Sequence, residues 1–112
     1  MYKVIVFAGT TEGYEISRFL GENQIPVLAC VATEYGSRSL KESSSLHVQA
    51  GRLDENEMKE LFSREKPELV LDATHPYAAE VTRNIRKACE EAEVSYTCLL
   101  YTSPSPRDRT RS

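Results

Sequence analysis

The sequence predicts an α/β fold, a parallel sheet of about five strands flanked by helices. Three observations carry this: short apolar runs suited to strands buried on both faces, amphipathic stretches of about 10–15 residues between them, and Gly, Thr, Asp and His gathered directly after the runs. Strands separated by helices need crossover connections, and those build right-handed βαβ units.

Tyr2 to Ala8 reads as the first strand and leads into a Gly/Thr turn. From Thr11 to about Gly21 the apolar residues Ile16, Phe19 and Leu20 recur at helical spacing. Glu12 and Glu15 lie in the first turn, where the helix dipole favours acids, and Gly21 is expected to stop the helix. Pro26 to Ala32 is a second buried strand and Leu46 to Ala50 a short third. Asp54 is a natural N-cap for a helix carrying Met58, Leu61 and Phe62 on one face, and Pro67 marks the turn into a fourth strand, Leu69 to Ala73. The last helix has the clearest pattern: Ala78, Val81, Ile85, Ala88, Cys89 and Ala92 form a stripe, while Arg83, Arg86, Lys87, Glu90 and Glu91 face water. Val94 to Thr97 begins a fifth strand, where the sheet is expected to be cut short.

A chain of 112 residues holds one domain at most. With 14 Lys+Arg against 17 Asp+Glu its net charge is −3, which offers no basic face to nucleic acid. No apolar run approaches the ~18 residues of a membrane span, and none matches a signal peptide's core. A cytoplasmic protein with neither nucleic acid nor membrane as partner is expected. Cys30, Cys89 and Cys98 form no C-x-x-C pair, which argues against a disulfide scaffold and a structural metal and leaves reduced thiols, two of them in the core.

The domain is expected to span residues 1–97. Residues 98–112 carry Pro104 and Pro106 among Ser and Arg, lack periodicity beyond Tyr101, and read as a disordered tail. Arg107, Arg109 and Arg111 against Asp108 give the tail a net charge of +2, leaving −5 on the rest. Codons of a sequencing-library transposase adapter spell Cys98 to Asp108, so the tail is set apart as adapter read-through; a native Arg-rich tail is the alternative.

In an open parallel sheet, ligands bind outside the carboxyl ends of the strands, so the segments after each strand are the candidate site. After the first strand, Gly9 allows a sharp turn, the amides of Thr10 to Gly13 open a helix whose positive end can hold phosphate, and Thr10 and Thr11 add hydroxyls. The pattern G-x-G-x-x-G is not met, because Ala8 and Thr10 stand where its first two glycines would. A plain turn capped by Thr10 or Thr11 accounts for the same residues. After the fourth strand, Asp72, Thr74, His75 and Tyr77 put a carboxylate, a hydroxyl, an imidazole and a phenol at one strand end, and Pro76 keeps His75 extended, aimed into the crevice. The structural alternative there is a cap at Thr74, Pro76 in the first helical turn and a packed Tyr77. A phosphoacceptor receiver would need acids where Ala8-Gly9 and Ala50-Gly51 stand, and no Walker loop follows any strand. A flavodoxin-like site stays open as a minor alternative, on the Thr-rich turn Gly9 to Glu12.

Four segments in order, Ala8 to Gly13, Val31 to Gly36, Ala50 to Leu53 and Asp72 to Ala79, resemble those of the precorrin-6A reductases of cobalamin biosynthesis, and the resemblance covers residues 2–97. Ala8 replaces a commoner Gly, and Tyr14 stands where many members have Arg. The resemblance implies a protein of two Rossmann-like halves, this chain being the N-terminal, nucleotide-binding one, with a C-terminal domain of the same chain closing the cleft. It implies hydride transfer from NADPH or NADH to a double bond of a carboxylate-rich tetrapyrrole, cobalt-free or cobalt-containing. On this footing Gly9, Thr10, Thr11, Glu12, Thr33, Glu34 and Thr74 bind the cofactor, and His75, Asp72 and Tyr77 are catalytic, with His75 as proton donor. Arg52 and Tyr77 meet the substrate, and no metal is involved. Glu34 suits a ribose 2′-hydroxyl and Arg38 a 2′-phosphate, which leaves NADH and NADPH both open. A nucleotide-binding module without turnover is the alternative function.

Overall fold

The computed structural model describes residues 2–32, 40–74 and 79–98. Its elements are β1 (Val4–Ala8), α1 (Thr11–Glu22), β2 (Val27–Val31), β3 (Leu46–Ala50), α2 (Glu55–Glu65), β4 (Leu69–Ala73), α3 (Ala79–Ala92) and β5 (Tyr96–Cys98). They form one five-stranded sheet in the order β3-β2-β1-β4-β5, with every pairing parallel. The predicted α/β class is thus observed, and the strand order reverses direction between β1 and β4, the position where open sheets of this kind leave a crevice.

Alternation along the strands sorts the core into two layers. Ile5 and Phe7 of β1 join Leu28, Val70 and the inward faces of α2 and α3, where Met58, Leu61, Phe62, Ile85 and Cys89 are buried. Phe7 and Phe62 meet edge to face, with ring centroids 6.0 Å apart. Val6 and Ala8 point the other way, into a layer with Val27, Ala29, Val31, Leu46 and Ala73 that α1 covers through Tyr14, Ile16 and Leu20.

Helix α2 starts as expected at Asp54, whose carboxylate accepts from the Glu57 amide at 2.8 Å while the Glu57 side chain accepts from the Asp54 amide at 2.9 Å, a reciprocal capping box. Helix α1 departs from expectation twice. Phe19 is not in the core but 59% exposed, and the buried positions are instead Gly13 and Ser17. The helix also passes through Gly21 to Glu22; Asn23 and Gln24 (φ 61°) make the stop, with the Asn23 side chain donating to Phe19 O at 2.8 Å. Gly21 serves a different purpose: a Cβ there would lie 2.9 Å from the Leu46 Cβ. The small residues at 13, 17 and 21 mark the line of closest approach between α1 and the sheet, and Tyr14, Ile16 and Leu20 pack beside it.

Strand β5 begins at Tyr96 and includes Cys98, so it is shifted from the expected Val94 to Thr97 and reaches one residue past the expected domain end. Val94 is still part of the α3 exit, its amide bonded to Cys89 O at 3.0 Å after Glu93 at φ 61°. Cys30 and Cys89 are buried and Cys98 is exposed, all three as free thiols. Among the described residues no helix is long and apolar enough to cross a membrane.

Candidate functional site

The turns after β1 and β4 meet at the reversal point, and three groups bind them together. Ala73 O, at the end of β4, accepts from the Gly9 amide at 3.1 Å and from the Thr10 hydroxyl at 3.0 Å. The same Thr10 oxygen caps α1 by accepting from the Gly13 amide at 3.4 Å. Gly13 then packs α1 onto both strands: a Cβ on it would lie 2.9 Å from the Ala8 Cα and 2.9 Å from the Ala73 Cβ. This is the work of the third glycine in a G-x-G-x-x-G turn, close approach of helix to sheet. Of the expected binders, the Gly9 amide and the Thr10 hydroxyl therefore donate to the protein itself. The Thr11 and Glu12 amides lie in the first turn of α1, where helix N–H groups have no intrahelical acceptor and can meet an anion.

Asp72 occupies an unexpected place. Instead of reaching into the crevice, its side chain is 1% exposed beneath α3. Oδ1 accepts from the Thr74 amide at 3.1 Å and the Thr74 hydroxyl at 2.6 Å. Oδ2 accepts from the Thr82 hydroxyl at 2.7 Å and the Tyr96 hydroxyl at 2.9 Å. One buried carboxylate thus joins β4, the start of the following turn, α3 and β5, and its four donors satisfy it. Burial, and after it the hydrogen bond to Asp72 and that residue's charge, push the Tyr96 phenol well above its usual range. Burial, followed by the charge of Asp72, pushes the Cys89 thiol up to about 12. Thr82 and Tyr96 had not been singled out from the sequence. The available signal was Thr82 at the inward spacing 82, 85, 89 of α3, a hydroxyl among apolar positions that must find a partner.

Thr74 is half-buried at the mouth of the crevice, its hydroxyl also 3.3 Å from that of Thr82. Arg52 is exposed beyond β3, following Gly51 at φ +113°, a conformation that calls for glycine. Because β3 is the sheet edge two strands away from β1, Arg52 stands about 10 Å from the crevice, by the spacing of neighbouring strands. Thr33, Glu34 and Arg38, and likewise His75, Pro76 and Tyr77, lie outside the described residues. Among the described residues no three His, Cys, Asp or Glu side chains cluster as metal ligands.

Comparison with known proteins follows the same lines. A sequence model described as precorrin-6x reductase CbiJ/CobK matches residues 3–110, which extends past residue 97. A cobalt-precorrin-6A reductase from Methanothermobacter thermautotrophicus is 37% identical over 94 residues, 83% of this chain and 31% of the relative. Another from Methanocaldococcus jannaschii is 30% identical over 94 residues, 83% of this chain and 37% of the relative. A third from Salmonella typhimurium is 33% identical over 91 residues, 81% of this chain and 34% of the relative. The chain therefore spans about a third of the length of these curated relatives. A solved structure titled CobK precorrin-6A reductase has the same fold, with TM-score 0.77 and 23% identity, over 94% of this chain and 40% of the other.

Proposed function

The chain belongs to the precorrin-6x reductase CbiJ/CobK family, and from that premise we propose that it forms the nicotinamide-dinucleotide-binding part of an enzyme that reduces a double bond of cobalt-precorrin-6A or precorrin-6A. The observation that carries this reading is the joint between the β1 and β4 turns: Thr10 bonded to Ala73 O, and Gly13 seated on Ala8 and Ala73. That joint holds the first turn of α1 at the reversal of strand order, the place that a pyrophosphate would take in this reading.

In this reading the Thr11 and Glu12 amides face the pyrophosphate. Gly9 lets the backbone come close, and Thr10 acts by fixing the turn. Thr33 and Glu34 are assigned to the ribose, with Glu34 favouring NADH and Arg38 favouring NADPH. A bound reduced nicotinamide supplies the hydride. The chain's own residues orient and protonate: Thr74 borders the reacting end, Tyr77 is assigned to the macrocycle, and His75 is assigned the proton that reduction of a double bond requires. Asp72 positions Thr74 rather than handling a proton. Arg52 meets a substrate carboxylate from the β3 side. The remaining two thirds of the relatives' length supplies the rest of the macrocycle site and closes it against water.

Titration of the chain with NADPH and with NADH, followed by nicotinamide fluorescence, tests this. Saturable binding of one or both, lost in Gly9→Val with the circular dichroism of the fold intact, is the expected result. Unchanged affinity in that variant removes the β1 turn from the site. Dinucleotide binding without a contribution to turnover when the chain is joined to the remainder of a relative would favour the module reading over the enzyme.

A further inference from the structure

A groove encloses about 1030 Å³ between α3 and β5, on the edge of the sheet opposite β3. This is at the upper end of the ~300–1,000 Å³ typical of small-molecule sites, roomy for a single small anion. Its walls are uneven in charge. Arg83, Arg86 and Lys87 line it against one acid, Glu90, whereas the chain as a whole carries −3. Their spacing of three and four residues puts the three cations on one side of α3. The ion pairs among the described residues are Lys59–Glu91 and Arg64–Glu65, so none of the three is neutralised by one.

The remaining walls carry no charge, and Thr82 and Tyr96 among them are held by their bonds to Asp72. Val94 and Cys89 contribute hydrocarbon and a thiol that burial keeps neutral. Tyr96 presents its ring, pinned by the hydroxyl's 2.9 Å bond to Asp72, with the Arg86 guanidinium 5.8 Å from the ring centroid. An aromatic wall held at its hydroxyl next to exposed cations matches a ligand with a flat body and anionic arms. The cations sit in the middle of α3, so the helix end plays no part and the side chains alone supply the charge. A long polyanion does not fit the pattern, because the basic stretch covers just over one helical turn and the rest of the chain is acidic.

We propose that this groove binds a flat, apolar-bodied polycarboxylate, with Arg83, Arg86 and Lys87 each taking carboxylate groups and Tyr96 lying along the body. The assignment deepens the reductase reading and depends on it for one thing, that the natural ligand is the tetrapyrrole substrate. The groove is then a second place, besides Arg52, where the chain holds that substrate's carboxylates.

The test is titration of the 112-residue chain with uroporphyrin, a planar octacarboxylate, followed by its Soret absorbance and fluorescence, with NADPH titrated into the same samples. Saturable binding is expected. The pair Arg83→Gln/Arg86→Gln, and separately Lys87→Gln, weaken it by about tenfold and a few-fold respectively and flatten its salt dependence. Arg18→Gln, an exposed cation on α1 across the sheet, leaves it unchanged, and a tetracationic porphyrin does not bind. Absence of uroporphyrin binding, an equal loss in Arg18→Gln, or undiminished binding in the groove variants overturns the proposal. If NADPH binding persists in those cases, the reductase reading stands without the groove. If uroporphyrin binds through the groove and no dinucleotide binds, the groove stands and the reading of the crevice fails.

Discussion

The buried Asp72 carboxylate concentrates more interactions than any other described side chain at the strand ends. Tyr96→Phe or Thr82→Val removes one donor while preserving shape, and each is expected to lower stability by about 1–2 kcal/mol, read from the urea midpoint. Asp72→Ala leaves three hydroxyls to find other partners beneath α3, so its cost is expected to exceed either single change. A result in which Tyr96→Phe is neutral would show that Thr74 and Thr82 alone hold the carboxylate. The thiols make a second residue-scale prediction. Burial raises Cys30 from its ordinary value of 9.0 to about 12, and Cys89 moves to about 12 as well. A group whose folded value is raised favours the fold fully below its unfolded value. Stability is thus expected to be flat up to about pH 9 and to fall as pH rises toward 12, as unfolded thiols release protons that folded ones keep. Urea midpoints at about pH 8 and about pH 10 check the sign, and Cys30→Ala should shrink the difference. Alkylation at neutral pH should modify Cys98, exposed at the end of β5, well before the two buried thiols.

At the scale of elements, α1 is where packing overrides local preference. Alanine is a better helix former than glycine by ~1 kcal/mol. Gly13→Ala is nevertheless expected to destabilise, by about 1–3 kcal/mol, because its Cβ would press on the Ala8 backbone and the Ala73 side chain at once. Gly21→Ala meets only the Leu46 side chain closely and should cost less. Thermal unfolding of the two variants orders them, and a stabilised Gly13→Ala would mean that α1 can lift from the sheet. The same helix shows how far the sequence could be read. Strands β3 and β4, the Asp54 cap and the stripe of α3 were legible because burial on a sheet face and helical spacing both leave an apolar pattern. On α1 the expected Ile16 and Leu20 do pack against the sheet, but the line of closest approach was not legible, because a helix pressed close against a sheet selects small residues there, which hydrophobic spacing passes over and which also resemble a stop signal at Gly21. Phe19 was misplaced by the same reasoning. At the site, the gathering of Asp72 and Thr74 with the β1 turn followed from strand order. The inward turn of the carboxylate did not, since its partners Thr82 and Tyr96 come from elements 10 and 24 residues further on.

For the molecule as a whole, the chain spans about a third of the reductases it matches, and binding and turnover should separate accordingly. On the proposed reading, the 112-residue chain alone is expected to bind a nicotinamide dinucleotide and to show no measurable reduction of cobalt-precorrin-6A, because the rest of the relatives' length is needed to enclose a macrocycle and exclude water. A turnover rate matching a full-length relative, measured on the same substrate, would show that these residues suffice. His75→Ala, made in a chain joined to the remainder of a relative, should lower turnover more than dinucleotide affinity; equal losses would return His75 to a structural role.

The hydrogen bond from Tyr96 to Asp72 also has an optical consequence. With no tryptophan and six tyrosines, the near-ultraviolet spectrum belongs mainly to phenols, and ionised phenols absorb at longer wavelength than neutral ones. The Tyr96 phenol is held neutral by burial and by the neighbouring carboxylate. In an alkaline titration its phenolate absorbance should stay dark through the range around ~10 in which a free phenol ionises, then emerge in step with the loss of helical ellipticity. One tyrosine thus serves as an internal dye for the opening of the β4–α3–β5 joint, and the difference between the wild-type and Tyr96→Phe titration curves isolates its signal.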